Sequence, residues 1–337
     1  MLVTEAPLPK ARAFSVTVGS RAPARRLPGA GRLSRTSRSV APERFLVNND
    51  VTGKAELSWK SGGSMEKPGK AGIWVRHTNV GPEAAAELEQ LGYSTLWLGG
   101  SPAAELDVVD PLLEATESLV LGTSIVNVWT APAKSVAESF HRLESKYPGR
   151  FILGIGAGHR ESNADYRKPY EALVDYLDAL DQAGVPMQRR ALAALGPRVL
   201  DLARTRSAGA LPYLVTPEHT RAARARLGDG PILVTEQKVV IDAQTDRARR
   251  LGRERVSFYL RLSNYVANLR RIGFDDDDVT YPGSDRLIDA LAVHGDPETV
   301  AGALRAHIEA GADQVAIQVL SADDDILPGA RALAHLL

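Results

Sequence analysis

The chain has 337 residues, of which 44% are hydrophobic and 24% are charged, and its formal net charge is zero. This composition is typical of a globular protein, and the balanced charge removes any global electrostatic argument for a nucleic-acid or membrane partner. The absence of cysteine excludes disulfides, thiolate nucleophiles and cysteine metal ligands. No apolar run approaches the ~20 residues that a transmembrane helix needs. We therefore expect a cytoplasmic protein.

The first 66 residues differ in composition from the rest of the chain. Eight arginines lie between Arg12 and Arg44, with Glu43 the single acid in that span. No helical or strand period persists, so we predict a disordered extension over residues 1–66 and a folded domain over residues 67–337. Upstream sequence preceding a natural start at Met65 is an equally open interpretation. A targeting peptide and a nucleic-acid-binding arm are weaker alternatives, since no aromatic residues alternate with the arginines.

From Ala71 onward, strand and helix patterns alternate along the chain. The predicted strands are residues 71–75, 94–98, 119–126, 151–155, 191–194, 210–215, 232–240 and 314–319. The predicted helices are residues 82–91, 108–118, 133–146, 170–183, 197–206, 217–227, 243–271, 297–310 and 329–337. Several helices begin at a proline, whose fixed φ suits the first helical position.

Eight strands that alternate with helices predict a (β/α)₈ barrel, the TIM-barrel fold. The alternative is an open, doubly wound sheet. That fold normally has its glycine-rich loop directly after the first strand. Here the first predicted strand is followed by His77, Thr78 and Asn79 instead. The barrel is therefore the better prediction.

In such a barrel the residues just after each strand face one shared pocket. Two strands in tandem, 119–126 and 151–155, run into polar or glycine-rich tips, which suggests an active-site rim. The rim is neutral to mildly basic and carries aromatic surface, which suits a flat anionic cofactor better than a metal ion. The candidate rim residues are His77, Asn79, Asn127, Trp129, Gly156, Gly158, His159, Gly196, Arg198, Thr216 and His219.

The segment Leu195-Gly196-Pro197-Arg198 is a candidate phosphate site. A helix is predicted to begin at Pro197, so its free N–H groups and its dipole would favour an anion, with Arg198 nearby. The run Gly154-Ile155-Gly156-Ala157-Gly158 is not a dinucleotide-binding fingerprint, because no helix opens directly from it. It either forms a strand-end turn that needs positive φ or lets a planar ring approach the backbone.

Histidine and lysine supply the candidate chemistry. His159 follows the glycine run and is a candidate proton donor, whereas His77 is a weaker candidate for the substrate pocket. Lys238 is the one suitable lysine for a Schiff base, but Glu236 lies on the same predicted strand, so an ion pair is favoured. A metal site built from histidines would have no carboxylate ligand, and we predict none.

The chain resembles the luciferase-like superfamily of oxidoreductases that depend on flavin or on the deazaflavin coenzyme F420. The similarity lies in residues 122–127 (GTSIVN), 147–159 (YPGRFILGIGAGH) and 193–197 (AALGP), and it extends over roughly residues 70–337. Residues 213–220 and 258–274 are similar to an actinobacterial subgroup of deazaflavin enzymes. The resemblance implies a (β/α)₈ barrel. Homodimers are common in the family, although no residue here demonstrates one.

The resemblance also implies site residues. In the deazaflavin branch a non-prolyl cis peptide lies behind the cofactor ring, and here it would be Ser124–Ile125. The cofactor ring would contact Asn127 and residues 156–159. The remaining cofactor-binding residues would be those of the ribityl-phosphate portion, namely Ala194, Leu195, Gly196, Pro197 and Arg198. Trp129 and Thr216 join His77 as expected substrate-pocket residues.

The sequence departs from the sugar-phosphate dehydrogenase branch of that family. Gly99 and Gly100 stand where that branch has an Asp-His pair, and His159 stands where it has an acid. The implied function is hydride transfer between coenzyme F420 and an unidentified small organic substrate, with His159 as the catalytic residue. An FMN-dependent monooxygenase and a barrel that binds cofactor without turnover are the alternatives. We expect a small-molecule substrate and neither nucleic-acid nor membrane partners.

Overall fold

The computed structural model describes residues 68–162 and 168–336. The extension predicted over residues 1–66 lies outside these ranges. Within them, no helix is long and apolar enough to cross a membrane.

The described chain alternates strands and helices. The strands are β1 (Ala71–Arg76), β2 (Thr95–Gly99), β3 (Val120–Thr123), β4 (Val126–Asn127), β5 (Phe151–Gly156), β6 (Arg190–Leu192), β7 (Gly209–Ala210), β8 (Ile232–Ile241), β9 (Ala292–Gly295) and β10 (Gln314–Val319). The helices are α1 (Pro82–Gln90), α2 (Val109–Glu114), α3 (Ala133–Lys146), α4 (Pro169–Gln182), α5 (Pro197–Arg206), α6 (Pro217–Leu227), α7 (Thr245–Val256), α8 (Ser263–Arg271), α9 (Asp276–Val279), α10 (Asp285–Leu291), α11 (Pro297–Glu309) and α12 (Leu327–Leu333).

The strands close into a parallel barrel. Strand order runs β10-β1-β2-β3-β5-β6-β7-β8, and β8 pairs in turn with β10, which completes the ring. The pairing of β1 with β2 matches Ile73 to Leu96, and that of β10 with β8 matches Gln314 to Val234. With β3 and β4 counted as one interrupted strand, this is the predicted (β/α)₈ barrel.

Large side chains fill the barrel interior by lying over glycines. A Cβ built on Gly99 would lie 1.9 Å from the ring of Trp74, and one built on Gly122 would lie 2.4 Å from the ring of Trp97. Trp97 Nε1 donates a hydrogen bond of 2.8 Å to Gln314 Oε1, so its buried polar atom is satisfied. The interior below the site is therefore a packed core.

Two of the predicted strands differ most from the observed ones. The strand predicted over residues 119–126 divides into β3 and β4, because the chain leaves its ladder at Ser124 and Ile125 and resumes pairing with β5. Of the strand predicted over residues 210–215, only Ala210 lies in a strand, as the last residue of β7. Pro212 has no N–H for the ladder, and Leu214 has a positive φ of 59°, which ends the extended backbone.

The prediction of one continuous helix over residues 243–271 is wrong in its middle. It is α7 and α8, separated by a 3₁₀ segment at Ser257–Arg261. Together with α9 and α10, these helices build a second hydrophobic cluster beside the barrel. The segment then returns through β9, which pairs with the end of β8. We call residues 242–291 the side wall.

Candidate active site

A cavity of about 940 Å³ opens at the carboxyl ends of the barrel strands. This is the end of the barrel where ligands are expected to bind. The structure brings most of the candidate residues to it. Those that line the cavity are Ser124, Ile125, Asn127, Gly156, Gly158, His159, Ala194, Leu195 and Gly196.

The floor of one side of the cavity is the junction of β4 and β5. The Ser124–Ile125 peptide is cis, as the resemblance predicted. The Ile125 side chain packs directly on Gly156, since a Cβ built there would lie 2.8 Å from Ile125 Cγ1. Any side chain at position 156 would displace Ile125. The glycine therefore permits a smooth apolar surface at this point.

The amino terminus of α5 forms the next part of the same side. Gly196 is its N-cap residue and Pro197 its first helical residue. A Cβ built on Gly196 would meet no atom within 4 Å, so the space beside the free N–H groups is open. An open helix amino terminus that faces a cavity is a suitable place for an anion.

The arginine expected at this position lies elsewhere. The Arg198 guanidinium stacks on the Tyr170 ring, 4.3 Å from its centroid, and neither Arg198 nor Pro197 is among the residues that line the cavity. Arg271, at the end of α8, lines the cavity instead. Burial lowers the pKa of His219, and the charge of Arg271 lowers it further. His219 Nε2 donates a hydrogen bond of 3.0 Å to the carbonyl oxygen of Leu195. Arg271, and not Arg198, is therefore the basic residue near the loop of Leu195 and Gly196.

His159 lines the cavity at the end of the β5 loop. Burial lowers its pKa, while a hydrogen bond to the Asn264 side chain and the charge of Glu161 oppose that shift. Its ring packs at 5.3 Å from the ring of Tyr265. A neutral imidazole is thus favoured near pH 7, and it can accept a proton from a substrate hydroxyl.

Lys238 and Glu236 form the ion pair that the sequence predicted. Lys238 Nζ donates to Glu236 Oε1 at 2.9 Å, and the two residues are only 1% and 3% exposed. The second oxygen, Oε2, accepts from the backbone N–H of Leu214 at 3.0 Å. Burial lowers the pKa of Lys238, and Glu236 opposes that shift. A paired ammonium is a poor Schiff-base nucleophile, which argues against that chemistry.

Three tyrosines cover this ion pair on the cavity side. Lys238 Nζ lies 3.9 Å from the centroid of the Tyr213 ring, a cation–π contact. The hydroxyls of Tyr213 and Tyr259 are 2.9 Å apart, and Tyr213 also donates to Gln318 Oε1 at 3.0 Å. The Tyr265 ring packs on both of the other rings. Sequence analysis missed these aromatic residues, because two of them lie in what looked like one continuous helix.

The three residues expected in the substrate pocket are not among the described residues that line the cavity. His77 Nδ1 is bonded to the carbonyl oxygen of Gly99 at 2.9 Å, beside the rim. Trp129 Nε1 donates to the carbonyl of Ala157. Thr216 instead lines a second cavity of about 490 Å³ together with Gln237 and His307, on the helix side of β8. Arg76, the neighbour of His77, is the rim residue that sequence analysis overlooked at the end of β1.

In the described ranges, no cluster of three or more histidine, aspartate or glutamate side chains is arranged to hold a metal ion.

Comparison with known proteins identifies the family. Residues 76–314 match the sequence profile of the luciferase-like monooxygenases. The chain belongs to that family. No curated protein matches the sequence at a significant level.

Solved structures of luciferase-like proteins share the fold. An F420-dependent secondary alcohol dehydrogenase in complex with an F420–acetone adduct is 14% identical, with a TM-score of 0.63 over 80% of this chain and 98% of the other. The F420-dependent tetrahydromethanopterin reductase of Methanopyrus kandleri is 17% identical, with a TM-score of 0.59 over 81% and 99%. The FMN-bound oxygenating constituent of 3,6-diketocamphane monooxygenase from Pseudomonas putida is 14% identical, with a TM-score of 0.55 over 79% and 95%.

The residues of this luciferase-like site fit a flat cofactor that carries a phosphate. The surface of Ile125 on Gly156 leaves room for a planar ring, and the open amino terminus of α5 leaves room for the phosphate. In addition, the buried Nε1 of Trp74, in the cavity wall, has no hydrogen-bond acceptor among the described residues. F420 and FMN both meet these requirements.

Proposed function

We propose that this protein is an oxidoreductase that transfers a hydride between coenzyme F420 and a small organic substrate. The observation that carries the proposal is the convergence of three loops on one side of the cavity. These are the loops of residues 124–127, 156–159 and 194–196, all of whose residues except Val126 line it. Their surfaces are apolar at Ile125, open to an anion at Gly196 and titratable at His159.

The choice of F420 over FMN is supported by residues 122–127, which are similar to the deazaflavin branch of the family. Two of the similar structures are of F420-dependent enzymes, by their names. The cofactor would supply two-electron hydride chemistry, which amino-acid side chains cannot supply. The protein would supply orientation and a proton carrier.

An FMN-dependent monooxygenase is the second candidate. It is favoured by the family description and by the FMN-bound relative of similar fold. The same cavity would then serve reduced FMN and oxygen. The two candidates share the phosphate end of the site and differ in the ring system.

Cofactor titration separates these candidates. Purified full-length protein is titrated with F420, FMN and riboflavin, with binding followed by fluorescence. Tight F420 binding with weak FMN binding is the expected result. A preference for FMN would favour the monooxygenase, and binding of neither would favour a barrel without turnover.

Substitution of Gly196 tests the phosphate position directly. Gly196→Asp adds a carboxylate where the backbone is extended and the space is open, and aspartate is a favourable N-cap, so the fold should be preserved. We expect it to weaken F420 or FMN binding at least about tenfold, or ~1.4 kcal/mol, by repulsion of the phosphate. Gly196→Ser is the matched uncharged control. Equal losses in both variants, or equal loss of riboflavin, would contradict the assignment.

His159 is the proposed proton carrier. In alcohol oxidation it would accept the hydroxyl proton while the hydride leaves the same carbon, and in the reverse direction its protonated form would donate. His159→Ala should therefore lower kcat by about 10²- to 10⁴-fold and spare cofactor affinity. Because burial lowers the pKa of His159, the oxidation rate should rise with pH through a value below 6.5 and then level off. Retention of that limb in His159→Ala would exclude His159 as the base.

A further inference from the structure

The cavity has a second end, away from the three loops that are proposed to bind the cofactor. In the closed barrel, β1 and β6 lie four strands apart in a ring of eight, so their carboxyl ends are on opposite sides of the cavity. Gly196 follows β6, whereas Arg76 is the last residue of β1. Arg76 and Asn79 line the cavity there, and Phe258 of the side wall, whose ring packs 5.4 Å from that of Tyr259, lines the same cavity.

Arg76 is distinctive among the basic residues of the cavity. Of the described residues that line it, four carry cationic lysine or arginine side chains, and three of these have partners. The Arg76 guanidinium makes no hydrogen bond or ion pair with any residue in the described part of the chain, and the residue is exposed where it lines the cavity. The three partnered pairs are Lys238 with Glu236, Arg255 with Asp324 and Arg271 with Asn268.

The surroundings of Arg76 are aromatic. Trp74 precedes it by two residues on the same strand, and Tyr259 and Phe258 face the same space from the side wall. Phe258 is 54% exposed, although it is a large apolar side chain. Burial raises the pKa of Tyr259, and the charge of Arg76 opposes that shift, which indicates that the guanidinium lies near this ring. Aromatic side chains that line a cavity offer a ligand apolar contact.

A free guanidinium beside aromatic rings matches one class of ligand. Guanidinium binds carboxylate through two parallel hydrogen bonds, and the rings contribute apolar contact. A phosphate dianion suits this cavity less well, because Glu254 also lines it and would repel the second charge.

We propose that Arg76 binds the carboxylate of an aromatic carboxylic acid, whose ring packs against Phe258 and Tyr259. The inference rests on the proposed function for its identification of this ligand as the substrate. The substrate would then span the cavity from Arg76 toward the cofactor side. Its reacting carbon would lie between Arg76 and His159.

Binding of simple probes tests this site without any cofactor. Full-length protein is titrated calorimetrically with benzoate, with the neutral isostere benzamide and with phenyl phosphate. We expect benzoate to bind at least about tenfold more tightly than benzamide. Arg76→Gln should remove that difference, and Arg76→Lys, which keeps the charge but not the two-pronged geometry, should restore only part of it.

The matched control is Arg250→Gln. Arg250 is exposed on α7 and is not among the described residues that line the cavity. The Arg250→Gln variant should bind benzoate as tightly as the wild type does. Circular dichroism of each variant checks that the fold is retained.

Four results would overturn the assignment: no benzoate binding to the wild type, equal affinity for benzoate and benzamide, benzoate binding that survives Arg76→Gln, or tighter Arg76-dependent binding of phenyl phosphate. A separate titration with F420 and FMN distinguishes the two proposals. If Arg76→Gln weakens cofactor binding but not benzoate binding, Arg76 serves the cofactor and the inference fails. If neither cofactor binds while benzoate binding depends on Arg76, the proposed function fails and the carboxylate site stands.

Discussion

The two faces of β8 bury polar side chains with different kinds of partner. Toward the cavity, the strand carries Glu236 and Lys238, a charged pair covered by tyrosine rings. Toward the helices it carries Gln237, a neutral group in a neutral network. Successive residues of a strand point to opposite faces, so one strand supplies both. The charged pair thus lies on the face toward the large cavity, and the neutral network on the face toward the helices.

The neutral network joins four elements. His307 of α11 lies between Thr220 Oγ1 at 2.8 Å and Gln237 Oε1 at 2.9 Å. The Gln237 amide nitrogen donates to the carbonyls of Lys238 and Leu291. Burial lowers the pKa of His307 to about 4, against the weak opposing charge of Glu218. The histidine is therefore held neutral.

The charged face should show the larger effect of substitution. Lys238→Met leaves the Glu236 carboxylate buried without its cation, and we expect the free energy of unfolding to fall by about 3–5 kcal/mol near pH 8. Chemical denaturation checks this. The loss should shrink as pH falls, because protonation of the unpaired carboxyl removes the buried charge.

Two further variants sharpen that result. The double variant Glu236→Gln with Lys238→Met should be more stable than Lys238→Met alone, because no charge stays buried. Arg331→Met breaks an exposed ion pair with Glu87 and should have a much smaller effect. Equal losses of unfolding free energy in Lys238→Met and Arg331→Met would mean that burial of the charges on β8 costs nothing. The difference drawn between its two faces would then be wrong.

Substitution on the neutral face of β8 should instead change how the free energy of unfolding depends on pH. An unfolded histidine binds a proton below about pH 6.5. Folded His307 does so only below about pH 4. Stability contributed by the neutral form is thus present above pH 6.5 and is lost as pH falls toward 4. In His307→Gln, the difference in unfolding free energy between pH 7 and pH 4 should shrink by about 3 kcal/mol. An unchanged difference would show that other groups carry the acid sensitivity.

The barrel was predictable because each of its units is local. A strand, a helix with proline at its start and the next strand recur with regular spacing, so α3, α5, α6 and β10 match their predicted bounds. The ion pair of Glu236 with Lys238 was predictable for a similar reason, since residues two apart on a strand share a face. The cis peptide followed only from the family resemblance.

The side wall was not predictable from local pattern. Residues 243–271 contain no proline, and the break at Ser257–Arg261 is set by packing of Leu260 and Leu262 into the second cluster. That break turns Phe258 and Tyr259 toward the cavity. The prediction that Arg198 lines the cavity was wrong, because its guanidinium stacks on the ring of Tyr170, which is distant in sequence. Such contacts between remote segments leave no periodic signal in the sequence.

The pairing of β9 with β8 has a consequence for how this protein can change. Ile241 and Gly295 are partners in that ladder, so the intervening segment leaves the barrel and returns to it at neighbouring points. A segment with adjoining ends can be exchanged for another without moving the barrel strands. The side wall can therefore be replaced as one unit, and its replacement would change the aromatic residues and the Arg271 that line the cavity while the loops after β4, β5 and β6 stay in place.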